Sequence, residues 1–310
     1  MSSPTVTAVI PAYSAGKIIA DAINSTLEQT YAIAEIVVVD DGSSDLTAEL
    51  IAGLPRQRVV RRCLIVVPCY NEGSRLKSRI FLDYLRDHDD SDFLFVNDGS
   101  RDNTLNLLED LKGAAPERIG VLDLKQNGGK AEAVRLGMLA AIQDGNGIVG
   151  FWDADLATPL ATIPCFLQQL AANQHLDMIF GSRVRLLGHD IRRRAVRHYL
   201  GRVFASVVSV VLRLPVYDTQ CGAKLFRVTS RLSQVLNEKF LSRWIFDVEI
   251  LARFIALDKG DVSYLRQSVY EYPLSSWEDV AGSKVGAADF LKALFDIVRI
   301  YRKYLLPANL

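Results

Sequence analysis

Two carboxylates stand two residues apart, directly after an apolar run of strand length. Asp153 and Asp155 follow Ile148–Trp152. Where a chain leaves a strand, carboxylates at i and i+2 can turn to one ligand, and such a pair suits a hard divalent cation that bridges to phosphate oxygens. Acidic pairs also close turns and cap helices, so the spacing alone does not indicate a ligand site. The apolar strand before the pair is the observation that favours a ligand role. We predict that Asp153 and Asp155 bind Mg²⁺ or Mn²⁺.

Two further polar turns are suited to a nucleotide. Asn97-Asp98-Gly99-Ser100 follows another apolar run, and Asp98 either accepts hydrogen bonds from a base or ribose or simply closes the turn. Asn127-Gly128-Gly129-Lys130 precedes a helical segment, where glycine N–H groups and an ammonium either bind an anion or only cap the helix. It is not a Walker phosphate loop, because no G-x-x-x-x-G-K-[ST] occurs.

A basic stretch, residues 183–202, adjoins the apolar segment Val203–Val216, which Arg213 interrupts. Basic residues beside an apolar helical segment suit the anionic head groups of a membrane surface, and a solvated face beside a core helix is the alternative. Only Asp190 opposes the positive charge. The basic residues are Arg183, Arg185, His189, Arg192, Arg193, Arg194, Arg197, His198 and Arg202.

Asp247 and Glu249 stand in a further apolar segment. Burying two carboxylates is costly unless each has a partner or a function. Either they form salt bridges with arginines, or they act on a ligand.

The elements that would position these groups alternate between strands and helices, which predicts an α/β fold with a doubly wound, mostly parallel, Rossmann-like sheet. Ligands of such sheets bind beyond the carboxyl ends of the strands, where the turns above fall. Predicted strands are Val6–Ile10, Ile36–Val39, Leu64–Val67, Phe93–Val96, Gly120–Leu124, Ile148–Trp152 and Met178–Gly181. Predicted helices are Gly16–Gln29, Leu46–Ala52, Ser74–His88, Asn103–Lys112, Lys130–Gln143, Ile163–Asn173, Val196–Leu212 and Ala287–Tyr304.

The chain starts this pattern twice, at a constant offset of 57 residues, as in Pro11 and Pro68 or Gly42 and Gly99. Only the second copy continues into D-x-D, N-G-G-K and the basic stretch. We predict that residues 1–57 are a partial β-α-β duplicate, and that 58–310 form the working domain with a C-terminal amphipathic helix. A β-α-β unit of this size cannot bury enough apolar surface to be stable alone.

Composition excludes some classes of protein. The formal net charge is zero, which gives the molecule as a whole no preference for nucleic acid. The four cysteines form no C-x-x-C pair and stand in apolar contexts, so we predict reduced thiols and a cytoplasmic location. We also predict that the N-terminus is not a signal peptide, and no uncharged apolar run reaches about 18 residues.

Taken together, the motifs resemble those of family 2 glycosyltransferases of the GT-A fold. The resemblance is greatest to enzymes that load a sugar onto a polyprenyl phosphate, in particular dolichyl-phosphate β-glucosyltransferases. It spans residues 63–305 and rests on Val67–Glu72, Val96–Thr104, Asn127–Gly137, Trp152–Thr158, Phe180–Arg183, Tyr217–Arg227, Trp244–Glu249 and Trp277–Lys284.

The resemblance implies a role for each candidate residue. The nucleotide-sugar site would comprise Pro68, Tyr70, Glu72, Asp98, Lys130 and Asp153, and the metal site Asp153 and Asp155. The candidate catalytic residues are Asp155, Asp247 and Arg183. Phosphate or acceptor binding would fall to Arg194, Arg197, Lys224, Arg227 and Lys284.

The expected reaction is metal-dependent, inverting hexosyl transfer from a nucleotide diphosphate sugar to a polyprenyl or dolichyl phosphate at the membrane surface. Ala157, where mannosyl-transferring relatives often carry a polar metal ligand, and Glu278-Asp279, where they tend to carry an arginine, favour glucose and UDP-glucose. The alternatives are GDP-mannose-dependent transfer, transfer to a glycan hydroxyl, a nucleotidyltransferase and a non-catalytic nucleotide-sugar-binding scaffold. A hydroxyl acceptor requires a base such as Asp247, whereas a lipid phosphate is already ionised.

Overall fold

A seven-stranded sheet forms the centre of the larger of two compact units, Met1–Arg61 and Arg62–Leu310. The structure is a computed structural model that describes residues 6–12, 14–16, 18–19, 21–22, 25, 33–40, 42–47, 63–192, 195–279 and 287–306. The strand order in the sheet is β10-β7-β9-β6-β3-β4-β5, and every neighbouring pair is parallel except those that β9 makes with β6 and β7. The predicted α/β, mostly parallel fold is confirmed.

The strands of the larger unit are rich in β-branched and aromatic residues. They are β3 (Cys63–Cys69), β4 (Ser91–Asp98), β5 (Ile119–Leu124), β6 (Ile148–Trp152), β7 (Met178–Ser182), β8 (Asp190–Arg192), β9 (Ala223–Arg227), β10 (Val269–Pro273) and β11 (Ser276–Glu278). Strands β8 and β11 pair with each other in a small parallel sheet.

Helices cover both faces of the central sheet. They are α1 (Ser78–Asp87), α2 (Thr104–Ala114), α3 (Lys130–Gln143), α4 (Ile163–Ala172), α5 (Ala195–Leu212), α6 (Ser230–Leu236), α7 (Phe246–Leu257), α8 (Ser263–Ser268) and α9 (Ala287–Ile300), the last continuing as a π-helical turn, Tyr301–Leu305. Two buried clusters form the cores. One lies under α3, α5, α7 and α9, and the other under α1, α2 and α4.

Most predicted elements are found, with shifted ends. The helix predicted from Ser74 begins at Ser78, and the one predicted to Tyr304 changes to a π-helical turn after Ile300. The predictions missed β8, β9, β10, β11, α6, α7 and α8. All four cysteines are free, as predicted, and three of them are buried.

The smaller unit repeats several hydrogen bonds of the first turn of the larger one. Its strands, β1 (Val6–Ala12) and β2 (Ile33–Asp40), are parallel. Ser14 N–H donates to Ser43 Oγ at 2.9 Å, and Asn71 N–H donates to Ser100 Oγ at 3.0 Å. Ser14 and Asn71 also share a positive φ, 48° and 52°. The duplicated motif therefore folds into the same local structure twice.

The two copies differ in what lies over the turn. A Cβ built on Gly99 would approach the backbone nitrogen of Asn127 to 2.7 Å, whereas one on Gly42 meets nothing within 4 Å. The first copy thus has no counterpart of the Asn127–Lys130 loop at this position among the described residues. The helices predicted over Gly16–Gln29 and Leu46–Ala52 lie largely outside those residues, as do Tyr13 and Asp41.

We therefore expect a protein that begins near Arg58 to retain full specific activity. The D-x-D pair, the Asn127–Lys130 loop and the basic stretch all belong to the second copy, so the chemistry should not need the first. Activity per folded molecule, measured against the full chain, checks this. If the shortened protein folds but no longer binds the sugar donor, the first copy is part of the site.

Candidate functional site

Three strands bring the predicted turns to one edge of the sheet. Strands β6, β3 and β4 are neighbours and all parallel, so their carboxyl ends lie together. Asp153 follows β6, Tyr70 follows β3, and Asp98 ends β4. The structure therefore brings together the D-x-D pair, the Val67–Glu72 motif and the N-D-G-S turn.

The Asn127–Lys130 loop is attached to this edge from two sides. Both carboxylate oxygens of Asp98 accept backbone N–H groups, from Gly128 at 2.7 Å and Gly129 at 2.9 Å. On the other side, an exposed arginine, Arg243, donates to the Asn127 side chain. Burial raises the pKa of Asp98, although the two N–H groups oppose that shift. Asp98 thus fixes the loop, and a role in reading the base remains a prediction.

Lys130 is the first residue of α3 and points at the D-x-D pair. Its Nζ lies 2.5 Å from Asp153 Oδ1. Burial alone would lower the pKa of Lys130, but Asp153 and then Asp247 raise it overall, so the side chain stays charged. Burial, followed by the charge of Asp153, raises the pKa of Asp155. The edge therefore carries more negative charge than Lys130 neutralises.

The position of Asp153 depends on Gly222, the residue directly before the neighbouring strand β9. Asp153 N–H donates to Gly222 O at 2.9 Å, and a Cβ on Gly222 would lie 1.9 Å from Asp153 Oδ2. No side chain other than hydrogen fits there without moving the carboxylate. The sequence motif Tyr217–Arg227 contained this glycine, but its role follows only from the antiparallel pairing of β9 with β6.

We expect Gly222→Ala to reduce turnover by on the order of a hundredfold, because displacing a reacting group by about 1 Å can cost that much. The melting temperature should change much less than activity. Gly113→Ala is the matched control, since a Cβ there meets nothing within 4 Å in α2. Undiminished turnover in Gly222→Ala would show that the position of Asp153 is not critical.

The pair of carboxylates fits a divalent cation. Both offer hard oxygen donors. One oxygen of Asp153 already binds a positive charge, the ammonium group of Lys130. Among the described residues, no cluster of three or more His, Cys, Asp or Glu side chains could hold a metal ion. Such a site matches Mg²⁺-type binding, in which one or two carboxylates act together with substrate phosphates and water.

Arg183 is held rigidly beside the same edge. Asp218 accepts from Arg183 Nε at 2.6 Å and from Nη2 at 2.7 Å, and the guanidinium stacks on Trp277 at 5.2 Å. Burial opposes the positive charge, but Asp218 raises the pKa of Arg183 above its usual value. Glu271 in turn accepts the backbone N–H groups of Tyr217 and Asp218. A ligand phosphate could therefore use the N–H groups of Nη1 and the second N–H of Nη2 of Arg183.

Lys224 and Asp247 form a buried ion pair behind the D-x-D pair. Lys224 is fully buried, its Nζ lies 2.6 Å from Asp247 Oδ1, and the rings of Phe151 and Phe180 flank it. Burial raises the pKa of Asp247, and Lys224 counteracts this shift. The structure thus places Lys224 inside the protein rather than on a surface open to a phosphate.

Glu249 forms the salt bridge that the sequence left as one alternative. Its carboxylate pairs with Arg253 at 2.8 Å and accepts from Leu241 N, Ser242 N and Tyr304 Oη. All of these contacts are internal, so Glu249 holds the start of α7 to the preceding loop and to the C-terminal helix.

Three of the remaining candidates belong to the Val67–Glu72 motif at this edge, and one lies at the other end of the sheet. Pro68 and Tyr70 are half-buried at the end of β3, and Glu72 pairs with Arg75. Arg227 lies opposite Ile148 at the other end of the sheet, where it donates to Leu176 O at 2.8 Å, so it is not near this edge. Arg194 and Lys284 lie outside the described residues, and the Arg197 side chain is not described.

The fold and this edge define the class of protein. A sequence model described as "Glycosyl transferase family 2" matches residues 7–62 and, separately, 64–231. The chain belongs to glycosyltransferase family 2 and is a glycosyltransferase. The double match agrees with the duplicated turn.

Three similar proteins share one named activity, that of a dolichyl-phosphate beta-glucosyltransferase. The chain is 33% identical over 264 residues to the dolichyl-phosphate beta-glucosyltransferase of Drosophila melanogaster, covering 79% of this chain and 76% of that enzyme. It is 31% identical over 260 residues to the enzyme of the same name from Saccharomyces cerevisiae, covering 78% and 75%. It is 31% identical over 265 residues to the enzyme of the same name from Dictyostelium discoideum, covering 78% of this chain and 74% of that enzyme.

A solved structure supports the fold. Glucosyl-3-phosphoglycerate synthase from Mycobacterium tuberculosis, in complex with Mn²⁺, UDP-glucose and phosphoglyceric acid, superposes with a TM-score of 0.54 at 18% identity. The alignment covers 78% of this chain and 80% of that enzyme. At this identity the likeness shows the GT-A-type fold alone.

Proposed function

We propose that this glycosyltransferase transfers glucose from UDP-glucose to a dolichyl or other polyprenyl phosphate, with inversion at the anomeric carbon and with Mg²⁺ or Mn²⁺. The similar enzymes named above support the sugar and the acceptor. The contacts of Asp247 support a phosphate acceptor over a hydroxyl acceptor. They are the main structural observation behind this proposal.

Asp247 is the residue that a hydroxyl acceptor would need as a base. It is buried and its carboxylate is paired with the Lys224 ammonium, so it is poorly placed to take a proton from an acceptor. A phosphate acceptor is already ionised at neutral pH and needs no such base. We therefore assign Asp247 a positioning role, since its charge also acts on Lys130.

The other candidate residues would bind the cation and the phosphate groups of the donor. Asp153 and Asp155 would hold the cation, which when bound would stabilise the negative charge on the departing diphosphate. Lys130, at the start of α3, would supply a positive charge to the diphosphate, since the neighbouring Gly128 and Gly129 N–H groups already bind Asp98. Arg183, fixed by Asp218, would present Nη1 to a phosphate without reorganising during the reaction. Attack from the face opposite UDP converts an α-linked donor into a β-linked product.

The experiment that tests the donor is a panel of nucleotide sugars. Purified protein is incubated with a short polyprenyl phosphate, with Mg²⁺ or Mn²⁺, and with UDP-glucose, UDP-N-acetylglucosamine, GDP-mannose or GDP-glucose. We expect UDP-glucose to give lipid-linked sugar and free UDP. Preferential use of GDP-mannose would replace glucose by mannose, and release of pyrophosphate would identify a nucleotidyltransferase instead.

We also propose that the protein acts while bound peripherally to the cytoplasmic face of a membrane. Along α5, the exposed apolar side chains Tyr199, Val203 and Val210 lie on one face, and Phe295 and Val298 are exposed on α9. Exposed apolar faces near basic residues suit an anionic bilayer surface. Within the residues that the structure describes, no helix is long and apolar enough to cross a membrane.

Replacing Arg192–Arg194 together by serine should weaken binding to anionic liposomes by on the order of a hundredfold, since each basic residue near such a surface contributes about 1 kcal/mol. Sedimentation with phosphatidylserine vesicles measures this. Serine at Arg79, Lys112 and Lys259, which are exposed elsewhere, is the charge-matched control. Equal sedimentation of the Arg192–Arg194 variant and the parent would rule out this stretch as the docking surface.

A further inference from the structure

Lys130 occupies the oxygen that a metal ion at the D-x-D pair would bind. Its Nζ lies 2.5 Å from Asp153 Oδ1, which is the distance of a tight ion pair. Both side chains remain partly open to solvent, with Lys130 23% and Asp153 34% exposed. An ammonium group and a divalent cation compete for that oxygen, because each lowers the affinity of the other by charge repulsion.

The surroundings determine which of these groups can move. The Asp153 main chain is held by its N–H bond to Gly222 O, and its carboxylate packs closely against that glycine. Asp247 is fixed by Lys224. Lys130, in contrast, carries its charge on a flexible four-carbon stem, which extends over the Phe151 ring at 5.8 Å. Lys130 is therefore the charge that can move when a ligand arrives.

A nucleotide diphosphate would give Lys130 another partner. The N–H groups of Gly128 and Gly129 before α3 are taken by Asp98, so the free charge at this point is the Lys130 ammonium itself, which a diphosphate in the proposed donor site would attract. A diphosphate bound there would attract the ammonium and so release Asp153. The same event would bring phosphate oxygens that can complete the coordination of a cation.

We propose that Lys130 is a tethered stand-in for the divalent cation, so that metal binds weakly until a nucleotide diphosphate draws Lys130 off Asp153. This inference rests on the proposed metal site at Asp153 and Asp155. It predicts positive coupling between nucleotide and metal, and by linkage each must raise the affinity of the other by the same factor. Part of that coupling then depends on the positive charge of Lys130, so it is lost when that charge is removed.

The test measures Mn²⁺ binding to the full chain by electron paramagnetic resonance, with and without UDP, and needs no turnover. We expect Lys130→Met to bind Mn²⁺ alone about tenfold or more tightly than the parent, a change of about 1.4 kcal/mol. Addition of UDP should raise Mn²⁺ affinity less in this variant than in the parent. Lys130→Arg keeps the charge and should bind Mn²⁺ alone as weakly as the parent.

Lys125→Met is the matched control, because Lys125 also pairs with an aspartate, Asp123, at 2.7 Å near the end of a neighbouring strand. It should bind Mn²⁺ as the parent does. If Lys130→Met and the parent bind Mn²⁺ alone equally, the stand-in role is wrong, and Mn²⁺ binding in the presence of UDP still supports the metal site. If the parent binds no Mn²⁺ even with UDP, the metal site itself is wrong. Should Lys130→Met fail to fold, Lys130→Gln takes its place with the same expected tightening.

Discussion

Replacement of Asp155 by alanine should lower kcat by on the order of a thousandfold or more, which is the scale on which charge stabilisation in the transition state acts. Asp155 is the third residue after the buried strand β6, and its side chain accepts one backbone hydrogen bond, from Ala157 N–H at 3.0 Å. Its replacement should therefore remove the proposed metal ligand while the fold is kept. The expected signature is a large drop in kcat with little change in melting temperature.

Asp144→Ala is the control for this variant. Asp144 is an exposed carboxylate beyond the end of α3, at the far end of the helix that Lys130 begins. It should leave kcat and melting temperature unchanged. A similar kcat and an unchanged metal dependence in Asp155→Ala would contradict the assignment of Asp155 to the metal.

Replacement of Lys224 by methionine should lower the free energy of unfolding by about 3–5 kcal/mol, because it leaves the Asp247 carboxylate buried without a partner. Lys224 also donates to Cys221 O at 2.5 Å, so the side chain ties β9 to the loop before it. Burial already raises the pKa of Asp247. Without Lys224 that carboxyl can escape ionisation by taking up a proton. The loss should therefore be smaller at about pH 5 than at about pH 8, since a raised native pKa costs stability as pH rises above the unfolded value.

Denaturant unfolding measures the change, and two further variants separate its causes. Lys224→Met with Asp247→Leu removes both charges and should recover most of the lost stability. Lys303→Met breaks an exposed pair with Glu238, 3.5 Å apart, and should cost less than about 1 kcal/mol. If Lys224→Met is as stable as the parent, the buried pair is not a structural element, and Lys224 is free for the phosphate-binding role that the sequence suggested.

The sequence predicted the strands and turns that build the site because their signals are local. An apolar run followed by polar turn residues marks the carboxyl end of a buried strand, and β6 and α3 were predicted with the bounds that the structure gives. The helix α7 was missed for a physical reason. It is buried on nearly all sides, so its sequence lacks the amphipathic periodicity by which a helix is recognised.

The pairings within the site could not be predicted, because they depend on which strands are neighbours. Strand β9 lies antiparallel between β6 and β7, which places Lys224 opposite Phe151 and Phe180 and buries it. The same insertion places Arg227 at the far end of the sheet. From the sequence, both residues appeared equally suited to a phosphate, because charge alone does not indicate burial.

The first copy shows how far a local motif determines its own structure. The turn of residues 14–16 and 43–47 repeats the hydrogen bonds of its counterpart, in which Gly73 N–H donates to Asp102 just as Gly16 N–H donates to Asp45. A motif that closes on itself can thus be predicted wherever it occurs. What it binds depends on distant segments, such as the Asn127–Lys130 loop, that only the second copy has.

The most direct test of the central claim compares two acceptors that differ only in the phosphate. Purified protein, UDP-glucose and Mn²⁺ are incubated with a polyprenyl phosphate or with the polyprenol of the same chain length, both in the same detergent, and the lipid-linked sugar is quantified. We predict transfer to the phosphate, with release of UDP, and none to the alcohol. Transfer to the alcohol in preference to the phosphate would contradict the account.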